Sequence, residues 1–225
     1  MDKINIDDLK AYILKLTFED QAEVLDLLAE GNFVKNEKWI AIFACGGTIQ
    51  SAYLPEAESI WAVPFNPALT RLDQLKLAFG IAEEEVTGAI ICSRDSRDLS
   101  LRHGTRLLNT ISMIPNRRVI VTCGTYKLPI IAEALDHHFG RGRSNKIIGV
   151  TGAMLPPAIS TQDGDFNVGG VLAAVNALQA FGHAGVVFAH FHGRIYHGDR
   201  IKEMNLHPER SAVGFAAMTP SVIRN

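Results

Sequence analysis

From Trp39 onward the chain alternates between two hydrophobic rhythms. Continuous apolar runs at 39–44, 87–92, 117–122, 146–151 and 185–191 read as buried strands, and the stretches 71–80, 101–112, 128–139 and 168–181 carry helical periodicity between them. Strands alternating with helices of this length specify βαβ units, hence a mostly parallel sheet covered on both faces, a three-layer α/β/α architecture. Asn66-Pro67 marks a turn ahead of the first helix, and His192-Gly193-Arg194 turns the last strand into an edge hairpin at Ile195-Tyr196. Residues 1–38 follow a different pattern. Ile6, Leu9, Ile13 and Leu14, then Phe18, Ala22, Leu25 and Leu28, fall at helical spacing, with Thr17-Phe18-Glu19-Asp20 as a capped start and Gly31-Asn32 as a stop. The reading is therefore a helical N-terminal extension over 1–38 and an α/β domain over 39–225.

At 225 residues the chain has room for one domain and an appendage, not for two full domains. A net charge of −2, without any block of like charges, leaves no phosphate-neutralising stripe and argues against nucleic acid as a partner. No apolar stretch approaches the roughly 20 residues that cross a bilayer, and the N-terminus lacks the basic-then-apolar order of a signal peptide, so a cytoplasmic protein with no membrane partner is expected. Cys45, Cys92 and Cys123 make an odd set without paired spacing, which fits reduced thiols better than a disulfide framework. Each ends a predicted strand. They are read either as small buried hydrophobes or as thiol or zinc-binding groups, and the first reading is preferred. The histidines at 190, 192 and 197 run through one strand and its turn with no carboxylate at ligand spacing in the sequence, so no metal and no other cofactor is expected.

Four segments place hydroxyl-bearing residues directly after apolar runs: Cys45-Gly46-Gly47-Thr48-Ile49, Asp95-Ser96-Arg97-Asp98-Leu99-Ser100, Cys123-Gly124-Thr125-Tyr126 and Thr151-Gly152-Ala153-Met154. In an open parallel sheet all strands end on one side, and ligands bind beyond those carboxyl ends. Gly46-Gly47 lets the backbone approach a ligand and exposes Thr48, whose hydroxyl is a nucleophile if a base takes its proton, or else the segment is a plain tight turn. Ser96 and Asp98 can hold the ends of an amino-acid-like ligand, or Asp98 or Ser100 caps the following helix. Thr125 has the same two readings, with Pro129 favoured in a first helical turn. Arg94, Arg97 and Arg102 either hold an anionic group or form a solvated cationic face.

In this order and spacing the segments resemble the N-terminal domain of the L-asparaginase family. The quoted matches are Gly46-Gly47-Thr48-Ile49, Asp95-Ser96-Arg97-Asp98-Leu99, Cys123-Gly124-Thr125-Tyr126, Thr151-Gly152-Ala153 and Asp163-Gly164-Asp165-Phe166-Asn167. The resemblance covers about 39–213 and implies a Rossmann- or flavodoxin-like fold of the asparaginase N-terminal type, without the family's smaller C-terminal domain, as in its short single-domain members. It implies that Thr48 attacks a side-chain amide, that Thr125 helps activate the attacking group, that Ser96 grips the substrate carboxylate with Arg97 and Asp98 near it, and that Gly47, Gly124 and Ala153 bring backbone groups to the amide. Tyr53 or Trp61, on a lid over 50–66, would take the place of the family's loop tyrosine. Two departures stand out: Tyr126 replaces the relay aspartate, and Leu178 occupies the relay lysine's position. A phenol with a pKa near 10 carries no negative charge at neutral pH. Lys127, next to Tyr126, is the nearest replacement base. The resemblance leaves two functions open: an amidohydrolase that cleaves a small amide, asparagine or a related carboxamide, through a threonine nucleophile with release of ammonia, and a regulatory or assembly module that binds a small amino acid or amide and has kept the pocket but not turnover. The amphipathic N-terminal helices either pack on the sheet or join chains into a homo-oligomer.

Overall fold

The computed structural model describes residues 39–50, 86–156 and 163–207; the two N-terminal helices, the 71–80 helix, the Asn66-Pro67 turn and the Tyr53/Trp61 lid lie outside the described residues. The strands are β1 (Ile40–Ala44), β2 (Val86–Ile90), β3 (Arg118–Thr122), β4 (Ile147–Thr151), β5 (Val186–Phe191) and β6 (Arg194–His197). The helices are α1 (Leu101–Met113), α2 (Leu128–Phe139) and α3 (Gly164–Ala180). The sheet order is β2-β1-β3-β4-β5-β6, parallel except for the β5–β6 pair. The edge hairpin forms where the sequence places it, with His192 at φ 48° and Gly193 at φ 76° making the turn.

Every residue of β1 and β4 is buried, as the unbroken apolar runs require of interior parallel strands. Alternation then sorts side chains between two layers. Ala41, Phe43, Val119 and Val121 join Leu107, Ile111, Leu128, Ala132 and Leu135 in a core beneath α1 and α2. Ile40, Ile42 and Ile120 face the other way, onto Val171, Leu172 and Val175 of α3. Helices on both faces give the three-layer α/β/α arrangement. Successive strands run outward from β1 first to β2 and then, by way of α1, to β3 on its other side. The direction of winding reverses there, and the crevice at such a reversal is where open α/β sheets bind ligands.

Strand boundaries fall within one or two residues of expectation, but α3 begins at Gly164, four residues earlier than the periodicity indicates. Gly164, Gly169 and Gly170 lower helical propensity through this segment, and tertiary contacts override it. Gly170 is required by packing, because a Cβ there would lie 2.2 Å from the His190 ring.

Two glycines test this packing with opposite signs. A Cβ on Gly149 would meet Val171 at 2.3 Å and Phe188 at 2.9 Å, whereas Gly104 in α1 has open space. Gly149→Ala is expected to destabilise by about 1–3 kcal/mol through overpacking. Gly104→Ala is expected to stabilise by about 0.5–1 kcal/mol. Urea unfolding of both variants checks the pair.

Candidate active site

The sheet ladder carries one rung past each strand and brings the loops out at one level. Cys45 N–H donates to Thr122 O at 2.8 Å, Ile91 N–H to Ala44 O at 2.8 Å, and Cys123 N–H to Thr151 O at 2.9 Å. Gly46 and Gly47 then adopt φ 77° and 85°. These are left-handed values that favour glycine. Close approach makes the same demand: a Cβ on Gly46 would sit 2.2 Å from Arg94 O, and one on Gly47 would sit 2.3 Å from both N and Cα of Gly124. Gly124 in turn lies against Ser96, whose Oγ would be 2.6 Å from a Cβ there. The exits of β1, β2 and β3 thus touch through backbone, and Gly47, Ser96 and Gly124 are brought together.

Thr48 opens a short 3-10 turn, Thr48–Gln50, and is half-buried. Gln50 holds the loop by accepting from Gly46 N–H through its side-chain oxygen. Ile49 is buried in a small cluster with Ala153 and Val168, which ties the turn to the β4 exit and to α3. Ser96 is buried, while Arg97 and Asp98 are exposed. Asp95, not Asp98, organises this loop: its carboxylate accepts from Arg97 N–H at 2.8 Å and pairs with the Arg97 guanidinium at 2.8 Å. Ser100 caps α1, donating its N–H to His103 Nδ1 at 3.0 Å.

Thr125 does not cap α2. Its Oγ1 lies 2.9 Å from His207 Nε2, and the ring of His207 stacks on Tyr126 with centroids 4.1 Å apart and planes 7° from parallel. The Arg97 guanidinium lies 5.3 Å from the Tyr126 ring centroid. No periodicity or motif in the sequence singles out His207. The segment that follows the edge hairpin delivers it: a 3-10 turn, Gly198–Glu203, packs Ile201 and Met204 into the α1/α2 core, and Lys202 pairs with Glu133 of α2 at 3.2 Å. Lys127, the replacement base considered from sequence, instead donates to the Leu99 carbonyl. Leu178 packs with Val171 and Val175 on α3.

At the β4 exit a polar lock takes up His192. Asp163 accepts from Met154 N–H and Leu155 N–H at 3.0 Å and lies 2.8 Å from His192 Nε2. Buried Asn167 donates to Gly152 O at 2.9 Å and accepts from His192 N–H at 2.9 Å. The partner carboxylate of His192 is 29 positions away, so sequence spacing does not reveal it. His190 is held below its ordinary pKa, mainly by burial and in part by the charge of His192. Among the described residues no group of three or more His, Cys, Asp or Glu is arranged to hold a metal.

The three cysteines, although each follows a strand, are not placed alike. Cys123 and Cys45 are buried in the α1/α2 core, and only Cys92 is partly exposed. It opens on a cavity of about 610 Å³ at the β2 exit, whose lining includes Asp98 but neither Thr48 nor Thr125.

Loops from β1, β2 and β3 of this α/β domain meet at the winding reversal, with a threonine hydroxyl and an imidazole in contact among them. The chain belongs to the asparaginase family: residues 39–214 match the family model described as Asparaginase, N-terminal. Three solved structures are similar in fold. They are a probable cytoplasmic L-asparaginase from Campylobacter jejuni (20% identity, TM-score 0.57, 71% of this chain and 48% of that one), a thermostable L-asparaginase from Thermococcus kodakarensis (22%, 0.55, 70% and 45%) and L-asparaginase I from Vibrio cholerae (22%, 0.53, 73% and 47%). The chain aligns with a little under half the length of each. No curated protein sequence matches it. Among the described residues no helix is long and apolar enough to cross a membrane.

Asp163 generates a pH prediction. Burial pushes its pKa up, but the amides of Leu155 and Met154 and the His192 side chain outweigh burial and hold the carboxyl below its ordinary value. A depressed carboxyl contributes stability that is present above its unfolded pKa, near 4, and lost as pH falls through the folded value. Asp163→Asn should therefore be less stable by about 1–3 kcal/mol at neutral pH. Its melting temperature should also fall less steeply below pH 4 than that of the wild type.

Proposed function

We propose that this chain is an asparaginase-like amidohydrolase that cleaves a small carboxamide through Thr48 and releases ammonia. The observation that carries the reading is the contact between Thr125 Oγ1 and His207 Nε2 at 2.9 Å, on the loop whose Gly124 touches Gly47. It supplies a proton acceptor beside the hydroxyl loops where Tyr126 and Leu178 remove the family's charged relay. In the proposed sequence Thr48 Oγ attacks the amide carbon, its hydroxyl proton passes by way of Thr125 and His207 to the nitrogen, and the C–N bond breaks to release ammonia. Water then attacks the acyl-threonine, its proton passes through Thr125 to His207 and on to Thr48 Oγ, and the ester C–O bond breaks to release the acid and restore Thr48. Backbone N–H groups at Gly124 and Ala153 are the proposed donors to the oxyanion, since the Gly47 N–H is already given to Arg94 O. Ser96, Arg97 and Asp98 would hold the far end of the substrate. Tyr126 offers no negative charge to a free α-amino group, so amides lacking that group fit this site better than asparagine does.

A binding role without turnover is the second reading. It is favoured by the placement of the imidazole on Thr125 rather than on Thr48. The proposal extends to a cytoplasmic homo-oligomer, supported by the exposure of Leu101 (87%) and Phe181 (79%) on the surface of one chain. Light scattering checks that part, and a monomer mass at micromolar concentration overturns it.

Ammonia release from a panel of small amides, with and without an α-amino group, tests the chemistry. Thr48→Ala should abolish turnover, and His207→Gln should lower kcat by about 10²–10⁴ and remove the acid limb of its pH profile. Rates unaffected by Thr48→Ala would end the reading. Amides that raise the melting temperature without any product would select the binding module.

A further inference from the structure

The cavity at the β2 exit holds chemistry that amide cleavage does not use. Cys92 lines it, half-buried, with three arginines, Arg94, Arg102 and Arg106, and His103 in the wall against two carboxylates, Asp95 and Asp98. Behind it lies Cys45. The Cys92 thiol donates to the Cys45 carbonyl at 3.7 Å, the amides of Ile91 and Cys92 both reach Ala44 O, and Cys92 packs against the same core cluster that holds Cys45. Cys45 and Cys92 therefore leave adjacent parallel strands one rung apart. The register Ala44↔Ile90 carried one residue on sets Cys45 opposite Ile91, and about 4.8 Å between strands combined with a rise of about 3.3 Å per residue puts the Cys45 and Cys92 Cα atoms about 6 Å apart, inside the roughly 4.4–6.8 Å that disulfide Cα pairs span.

We propose that Cys92 and Cys45 form a peroxide-reactive dithiol pair, with Cys92 the attacking thiol and Cys45 the thiol that resolves it into a disulfide. The assignment of roles follows from exposure and charge. Only Cys92 meets solvent, and the guanidinium groups on its wall favour an anion there, whereas Cys45 is sealed in the core. The neighbouring Cys45 thiol, helped by Arg106 and Arg94 against the opposing effect of burial, holds the Cys92 thiol below its ordinary pKa. The same neighbour and burial push Cys45 up, so it keeps its proton. A low-pKa, accessible thiol next to a second cysteine is the arrangement that oxidises reversibly.

The chemistry balances with a hydroperoxide as oxidant. The Cys92 thiolate attacks one peroxide oxygen, an S–O bond forms, the O–O bond breaks, and the departing hydroxide takes a proton to leave as water. Cys45 gives up its proton as its sulfur attacks the Cys92 sulfenic acid; the S–S bond forms, the S–O bond breaks, and a second water leaves. Two thiols are oxidised by two electrons and the peroxide is reduced. The bond would join the β1 and β2 exits directly beneath the Gly46-Gly47-Thr48 loop.

The test treats the reduced full chain with one equivalent of hydrogen peroxide, quenches with iodoacetamide and maps the peptides by mass spectrometry. An internal Cys45–Cys92 linkage and an intact mass lower by two hydrogens are expected, with Cys123 alkylated only after unfolding. Before oxidation, Cys92 should alkylate at least about tenfold faster than Cys123. Cys92→Ser should form no disulfide, and Cys45→Ser should stop at a Cys92 sulfenic acid that dimedone traps. If Cys45→Ser does not fold, the wild-type map and Cys92→Ser decide between them. Reaction of Cys92 no faster than free glutathione at the same pH, or linkage to Cys123 or to a second chain, overturns the proposal.

Discussion

The site depends on a backbone-to-backbone approach. Gly46, Gly47 and Gly124 let the exits of β1, β2 and β3 touch where any side chain would put a carbon within about 2.6 Å of a neighbour's atom. Gly46 and Gly47 are held in place twice over, because left-handed φ values and contact distances both exclude a Cβ. The placement of Thr48, Ser96 and Thr125 on adjacent loops follows from that approach. The sheet ladder sets the level at which it happens, and the Ile49–Ala153–Val168 cluster stops the first loop from lifting away.

Charge is distributed around this floor differently from the resemblance to charged-relay asparaginases. The carboxylate near the β4 exit, Asp163, is tied to two amides and His192, and it locks α3 to the sheet instead of facing the hydroxyls. Where the relay aspartate would stand, Tyr126 instead provides a flat surface on which His207 stacks. Cationic side chains gather one strand away, at the β2 exit around Cys92. Two sets of groups thus border β1. Thr125 and His207 lie on the β3 side, and Cys92 with the guanidinium groups lies on the β2 side, beside Asp95 and Asp98.

Much of the architecture was legible because the interior strands are unbroken apolar runs and the amphipathic helices show plain periodicity. The edge hairpin was also readable, since His192-Gly193 carries its turn in local residue types. The start of α3 was not. Glycines at 164, 169 and 170 read locally as weak helix, and only the His190 ring pressing on Gly170 explains their use. For the site, Gly47, Ser96, Thr48 and Thr125 were visible as hydroxyl and glycine segments after strands, while His207 was not, because 82 positions separate it from Thr125. Nor could exposure be read for the cysteines: strand-end positions look equivalent in sequence, yet two of the three turn into the α1/α2 core.

By itself the sequence determined the strand and helix alternation, the parallel sheet, and the small and hydroxylated residues at the strand exits, because these are written in local periodicity and residue type. The tertiary structure alone decided which distant groups meet: His207 with Thr125, Asp163 with His192, and Cys45 with Cys92. Those pairings depend on how far each crossover carries the chain and on which rung of the ladder it returns to. Such quantities are set by packing across the whole sheet and leave no mark on neighbouring residues.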